Sequence, residues 1–174
     1  MGGGQAFALR LCRWLAIAEP GRELRLACAG ASGLALRAAD AGIEVVDADF
    51  PPPTLRGAVR AIGALVGIRR LLAAAPGDAI VVANSARVQA YAVPVWPTLR
   101  GRGSLVSVMH ERESAKRLSA RFALRRTGAV AAVGESGVET YAAALGGRPV
   151  AKIVNFLLPE EFERMSTQRA ATGL

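Results

Sequence analysis

The stretch DAIVVANSARVQAYAVPVWPTLRGRGSLVSVMHE (residues 78–111) decides the fold. It opens on AIVVA (79–83), a short β-branched apolar run that reads as a buried strand. Asn84-Ser85 breaks the run, and a helix from Arg87 is expected to be disturbed at Pro94 and Pro97. A second apolar run, SLVSVM (104–109), then ends on His110-Glu111. Strand, helix, strand in this order is a βα unit, and such units build parallel sheets. The same pattern continues on the carboxyl side. AVAAV (129–133) is followed by Gly134-Glu135-Ser136, and AKIV (151–154) by Asn155. On the amino side, LRLACA (24–29) reads as a buried strand, Ser32 as the cap of a helix to Ala41, and IEVVDA (43–48) as the next strand.

Helices fill the spaces between. Gln5–Ile17 follows a glycine triplet, with Phe7, Leu11, Trp14 and Leu15 on one face. Thr54 is an expected N-cap for a helix to Ala75, and Ser114–Arg126 and Val138–Leu145 supply two more. The expected class is α/β: an open parallel sheet with helices on both faces. One domain is expected over residues 1–162, with a polar linker or tail over 163–174.

In such a sheet, ligands bind beyond the carboxyl ends of the strands. Asn84, Ser85, His110, Glu111, Glu135 and Ser136 each directly follow a strand, so they share one edge and are the candidate site. His110 is the only histidine; a lone histidine on an apolar strand is commonly structural, but this one is the first polar residue past the strand. Asn84, Ser85 and Arg87 read either as contacts for hydroxyls or phosphate or as a capped helix start. Glu135 and Ser136 read the same way, with Ser136 a candidate N-cap. Gly3 and Gly4 open a helix whose first amides could meet an anion. No G-x-G-x-x-G follows a strand, so the dinucleotide fingerprint is absent, and Tyr141 has Leu145 rather than Lys four residues on.

Composition bounds the partners. The formal net charge is +8, and all basic residues but Lys116 and Lys152 are arginine. That balance suits a polyanion or an anionic membrane surface, although biased codon usage that favours Ala, Gly and Arg gives the same composition. Lys116, Arg117, Arg121 and Arg125 lie on the expected helix 114–126, which could rest on anionic lipid or be a solvated face. No aromatic platform interleaves these arginines, which disfavours nucleic acid. Arg56, Arg60, Gly63, Gly67 and Arg70 form another stripe, read as a solvent face or a close approach. Cys12 and Cys28 have no metal-ligand spacing and read as buried free thiols of a reducing compartment. The opening lacks the pattern of a signal peptide, and the longest apolar run, AIGALVGI (61–68), is far short of a membrane span.

Four segments resemble the amino-terminal half of a GT-B glycosyltransferase of the family 4-like group. These are GGGQAFALRLCRWLA as the glycine loop and first helix, DAIVVANS, SLVSVMHE, and GAVAAVGES leading to AKIVNFLLPEEF. The resemblance runs from Gly2 to Phe162 and rests on order and spacing. It implies a Rossmann-like domain that binds a saccharide or lipid-linked acceptor, with His110 contacting the transferring sugar or acceptor hydroxyl. The donor would be a nucleotide-sugar co-substrate, held mainly by a carboxy-terminal donor-binding domain; no other cofactor is implied. Location would be cytoplasmic, with peripheral attachment at the inner membrane face. Asn155 would shape the interdomain hinge.

The chain departs from the family in placing Gly134 where a serine is usual and Phe156 where a glycine is usual. The family's strand before the glycine loop and its second domain have no counterpart in these 174 residues, so the resemblance implies a sheet short of its first strand. The competing expectation is a non-catalytic subunit that binds a membrane surface or a partner.

Overall fold

A computed structural model describes residues 3–51, 57–99, 103–116 and 118–163. Its elements run α1 (Gly3–Ala18), β1 (Arg25–Cys28), α2 (Gly33–Asp40), β2 (Glu44–Asp47), α3 (Ala58–Ala74), β3 (Ile80–Ala83), α4 (Ala86–Val95), β4 (Ser104–Met109), α5 (Leu118–Leu124), β5 (Ala129–Val133), α6 (Glu135–Ala144) and β6 (Ala151–Ile153). The architecture is α/β with a Rossmann-like open sheet, as the alternation of patterns predicts. All pairings are parallel, in two blocks: β1 with β2, and β3-β4-β5-β6 in chain order.

Alternation along β4 sends its side chains to two different layers. Leu105 and Met109 pack toward α4, α5 and α6, with Ala92, Ala123, Leu124 and Tyr141. Val108 points to the opposite face and packs with Ala131 under Phe7 and Leu11 of α1. α2 lies with α1 over β1, where Leu34, Ala35 and Ala38 meet Cys28 and Ile43. α3 joins the other layer, with Ile68 and Leu72 against Tyr91 and Val95. Helices therefore cover both faces.

Among the described residues, β1 pairs only with β2 and β3 only with β4. Among the described residues, one edge of β1 and one of β3 therefore carry no ladder. The face of β3 turned away from α4 is bare: Ile80 is 60% and Val82 38% exposed. Trp14 was expected on the buried stripe of α1, but it is 49% exposed while Leu9 is buried. The reason is that α1 serves two clusters. Phe7 and Leu11 meet β4 and β5, whereas Leu9 and Cys12 meet β1 and α2. A helix gripped on two sides does not show one clean stripe.

Local chemistry sets the helix ends. Ser32 Oγ accepts from the Ala35 amide at 3.1 Å, capping α2 as expected. α3 starts at Ala58 after Gly57, while Thr54 and Arg56 lie outside the described residues. α4 runs through Pro94 and passes into a 3-10 turn at Trp96–Thr98.

The helix expected over 114–126 is divided. Arg112–Lys116 forms a 3-10 turn and the α-helix proper is only Leu118–Leu124, so Arg125 follows its end. Burial explains the break: Ser114 and Ala115 turn into the core, where Ala115 meets Met109 and Leu124. The far end is stopped because the Leu124 carbonyl accepts from Thr127 Oγ1 at 2.8 Å and Arg148 Nη1 at 2.9 Å. Ser136 is not a cap. Gly134, at φ +75°, holds the N-cap position of α6, and Ser136 sits inside the helix. Among the described residues, no helix is long and apolar enough to cross a membrane.

Candidate functional site

Three chain segments meet at the carboxyl ends of β3 and β4. Asn84 is the first residue after β3, His110 the first after β4, and the amino-terminal turn of α1 comes down beside both. Asn84 Nδ2 donates to the Gly4 carbonyl at 2.6 Å, and its Oδ1 lies 2.8 Å from His110 Nε2. These two contacts fix the imidazole tautomer. With the amide nitrogen committed to Gly4, Oδ1 can only accept, so His110 Nε2 carries the proton and Nδ1 keeps its lone pair.

The ring is held from the side as well. Phe7 meets His110 edge to face with centroids 5.1 Å apart, and Phe156 meets Phe7 at 6.0 Å. Gly4 is close because it is small: a Cβ there would stand 3.4 Å from His110 Cδ2, already in van der Waals contact with the ring. Gly3 has no such neighbour.

Burial lowers the His110 pKa below its usual value, and the nearby Glu111 carboxylate only partly opposes it. The imidazole is therefore neutral at physiological pH. A neutral ring with its Nδ1 unprotonated can accept a hydrogen bond or a proton from a hydroxyl. The amino end of α1 adds partial positive charge at the same edge, which favours an anion.

The other expected residues divide. Ser85 is the N-cap of α4, accepting from the Val88 amide at 3.2 Å, so it positions Asn84 by starting the helix. Glu111 is exposed, and its backbone carbonyl accepts from Tyr141 Oη at 2.5 Å. Burial pushes the Tyr141 hydroxyl up to about 12, with Ser114 opposing, so it stays a donor. Glu135 pairs with Lys152 at 2.5 Å, on exposed side chains at the end of β5. Ser136 accepts from Thr140 Oγ1 through its backbone.

Arg87 is not brought to Asn84 and His110; it lines a groove between α4 and α5. Arg121 and Arg125 line the same groove, Lys116 does not, and Arg117 lies outside the described residues. Among the described residues, no three His, Cys, Asp or Glu side chains converge as metal ligands.

Two contributors carried no sequence signal for the site. Phe156 reaches it from beyond β6, and Phe7 was legible only as core. A helical turn at residues 159–163 also docks on α1, through Arg10–Glu161 at 2.7 Å and Arg13–Glu160 at 2.5 Å. Burial pushes the Glu161 carboxyl up, but the Leu158 amide, Arg10 and Arg13 outweigh it and hold the pKa below its usual value.

No family model, no curated protein and no solved structure matches the chain.

Proposed function

We propose that this chain is the acceptor-side domain of a glycosyltransferase. The observation that carries the reading is the Gly4–Asn84–His110 relay at the carboxyl edge of a parallel sheet. A transfer from a nucleotide-sugar to a hydroxyl needs an acceptor oxygen oriented, its proton received, and a leaving diphosphate stabilised. In this reading His110 Nδ1 accepts from the acceptor hydroxyl while Asn84 fixes the ring. The amino end of α1 faces the charge that develops on the diphosphate. The order and spacing of the four segments that resemble the family 4-like group support the same assignment. The donor nucleotide-sugar is then held mainly by a separate donor-binding half, and the chain alone does not turn over.

The second reading is a non-catalytic subunit. One observation favours it: the relay also ties α1 to β3 and β4, which is a structural task. Titration of the isotope-labelled protein with neutral and phosphorylated saccharides separates the two. The acceptor reading predicts amide shifts centred on Gly4, Asn84 and His110. Shifts confined to other surfaces, or no shift with any saccharide, would defeat it.

A further inference from the structure

α3 buries one side only. Ile68 and Leu72 pack against Tyr91 and Val95, and the opposite side is exposed. An exposed helix side ordinarily carries polar residues. Here Val59 is 85%, Ile62 62% and Val66 47% exposed. Beside them, Arg60, Gly63, Gly67 and Arg70 recur at helical spacing as one stripe. A Cβ added at Gly63 or Gly67 would meet nothing within 4 Å, so no contact among the described residues explains either glycine. Both weaken a helix interior relative to alanine. On the other flank of the stripe, a groove of about 300 Å³ runs to the carboxyl end of β2, lined in part by Asp47, Asp49 and Arg60. We propose that this side of α3 is the interface of a two-fold homodimer, with the two helices antiparallel and crossing at Gly63 and Gly67.

Self-complementarity selects a second copy over other occupants. A two-fold interface uses the same patch twice, so its contacts come in reciprocal pairs. An antiparallel pairing centred between the glycines sets Gly63 opposite Gly67 of the second copy, where the absence of side chains lets the backbones approach. It also brings Arg70 of the second copy level with Arg60. Arg60 Nη2 there donates to Asp49 Oδ2 at 2.9 Å, and Asp47 shares the groove, so two carboxylates face one guanidinium. Among the described residues, Arg70 pairs with no acid of its own chain. The second copy supplies one, within the reach of a long side chain. The same rotation puts Val59, Ile62 and Val66 of both copies on one side of the crossing, where they cover each other. A bilayer or an unrelated protein gives no reason for a cation and an acid to match on either side of a glycine centre. A groove of about 300 Å³ is at the lower limit for a small-molecule site, which also favours a side chain as its occupant. α3 has 17 residues and is about 25 Å long, so one face of it is smaller than a standard interface. The dimer is therefore weak, with a dissociation constant on the order of 10⁻⁵ M. This interface shares no residue with the Asn84–His110 edge and does not rest on the acceptor reading.

The test is sedimentation equilibrium of the full chain over concentrations from about 10⁻⁶ to 10⁻⁴ M. Reversible exchange between monomer and dimer is expected. Gly63→Gln with Gly67→Gln places two side chains at the crossing and raises the dissociation constant at least about tenfold. The same change improves helix propensity, so the melting transition of the monomer does not fall. Arg70→Glu raises the constant by about tenfold, because each change counts twice in a two-fold dimer. Adding Asp49→Arg to Arg70→Glu restores the pair in the opposite sense and recovers part of the loss, with melting reporting the fold of each variant. That rescue requires positions 49 and 70 to meet across two copies. A chain that stays monomeric throughout overturns the proposal, and its capture by phosphatidylglycerol vesicles would give the face to lipid instead. Association that none of these variants changes also overturns it, placing the contact at the open edges of β1 and β3 or elsewhere. So does a folded double variant that dimerises no better than Arg70→Glu alone.

Discussion

Asn84 shows how much one side chain settles at the residue scale. By donating to Gly4 and accepting from His110, it fixes a tautomer and joins three segments. Asn84→Asp removes the donor and sets a carboxylate against the Gly4 carbonyl. The His110 pKa, now lowered by burial, then rises. An NMR titration of the imidazole reads this directly, and an unchanged pKa means the contact is not made. The wild-type ring also sets a pH dependence. Its folded pKa lies below the ordinary 6.5, so between the two values the unfolded chain holds more protons. This part of the stability is complete above about 6.5 and is lost as pH falls through the folded value. Urea midpoints across that range report it, and His110→Ala abolishes that component. The position of Asn84 and His110 was legible because a polar residue directly after an apolar strand has nowhere to go but the sheet edge. Phe156 was not, since its approach depends on the path of the chain after β6.

At the scale of elements, α5 depends on side chains that come from outside it. Arg148 donates to the carbonyls of Leu124, Thr127 and Gly128 at 2.9, 2.6 and 2.9 Å. Arg148→Ala leaves these acceptors short of partners and should cost about 1–3 kcal/mol in urea unfolding. A change within error would show that water replaces the guanidinium without loss. Glu161 provides a second case. Its lowered pKa means the clamp on α1 is in place above the ordinary carboxylate range and is lost as pH falls through the folded value. Glu161→Gln should therefore flatten the acid limb of stability. Strands were the legible elements: SLVSVM is β4 residue for residue, and Ser32 and Ser85 cap as their positions suggest. The helix over 114–126 was not, because helical spacing of Arg117, Arg121 and Arg125 says nothing about Ser114 and Ala115 turning inward. Serine at 136 misled for a related reason: Gly134, with φ +75°, starts the helix two residues earlier.

The whole molecule is a Rossmann-like sheet in two blocks, and its stability should be uneven for that reason. Amides of β4 and β5, paired on both sides, should exchange with solvent at least ~100-fold more slowly than those on the unpaired edges of β1 and β3. Equal protection across both blocks would show that the edges are covered. The α/β class was readable from alternating patterns, whereas strand order and the division into blocks depend on long-range pairing, which no local pattern encodes. The central claim is that the edge at Asn84 and His110 is where a sugar is received. It is tested most directly by turnover and melting of His110→Ala, measured on the same preparations with the donor-binding half present. A preorganised group at the reacting oxygen contributes about 10²–10³-fold to rate. The loss of one hydrogen bond and one ring contact costs only about 1–2 kcal/mol of stability. The account predicts that turnover falls by that factor while the protein stays folded, with His110→Gln restoring little because an amide cannot take up the proton. Near-normal turnover in the folded fraction of His110→Ala would contradict it.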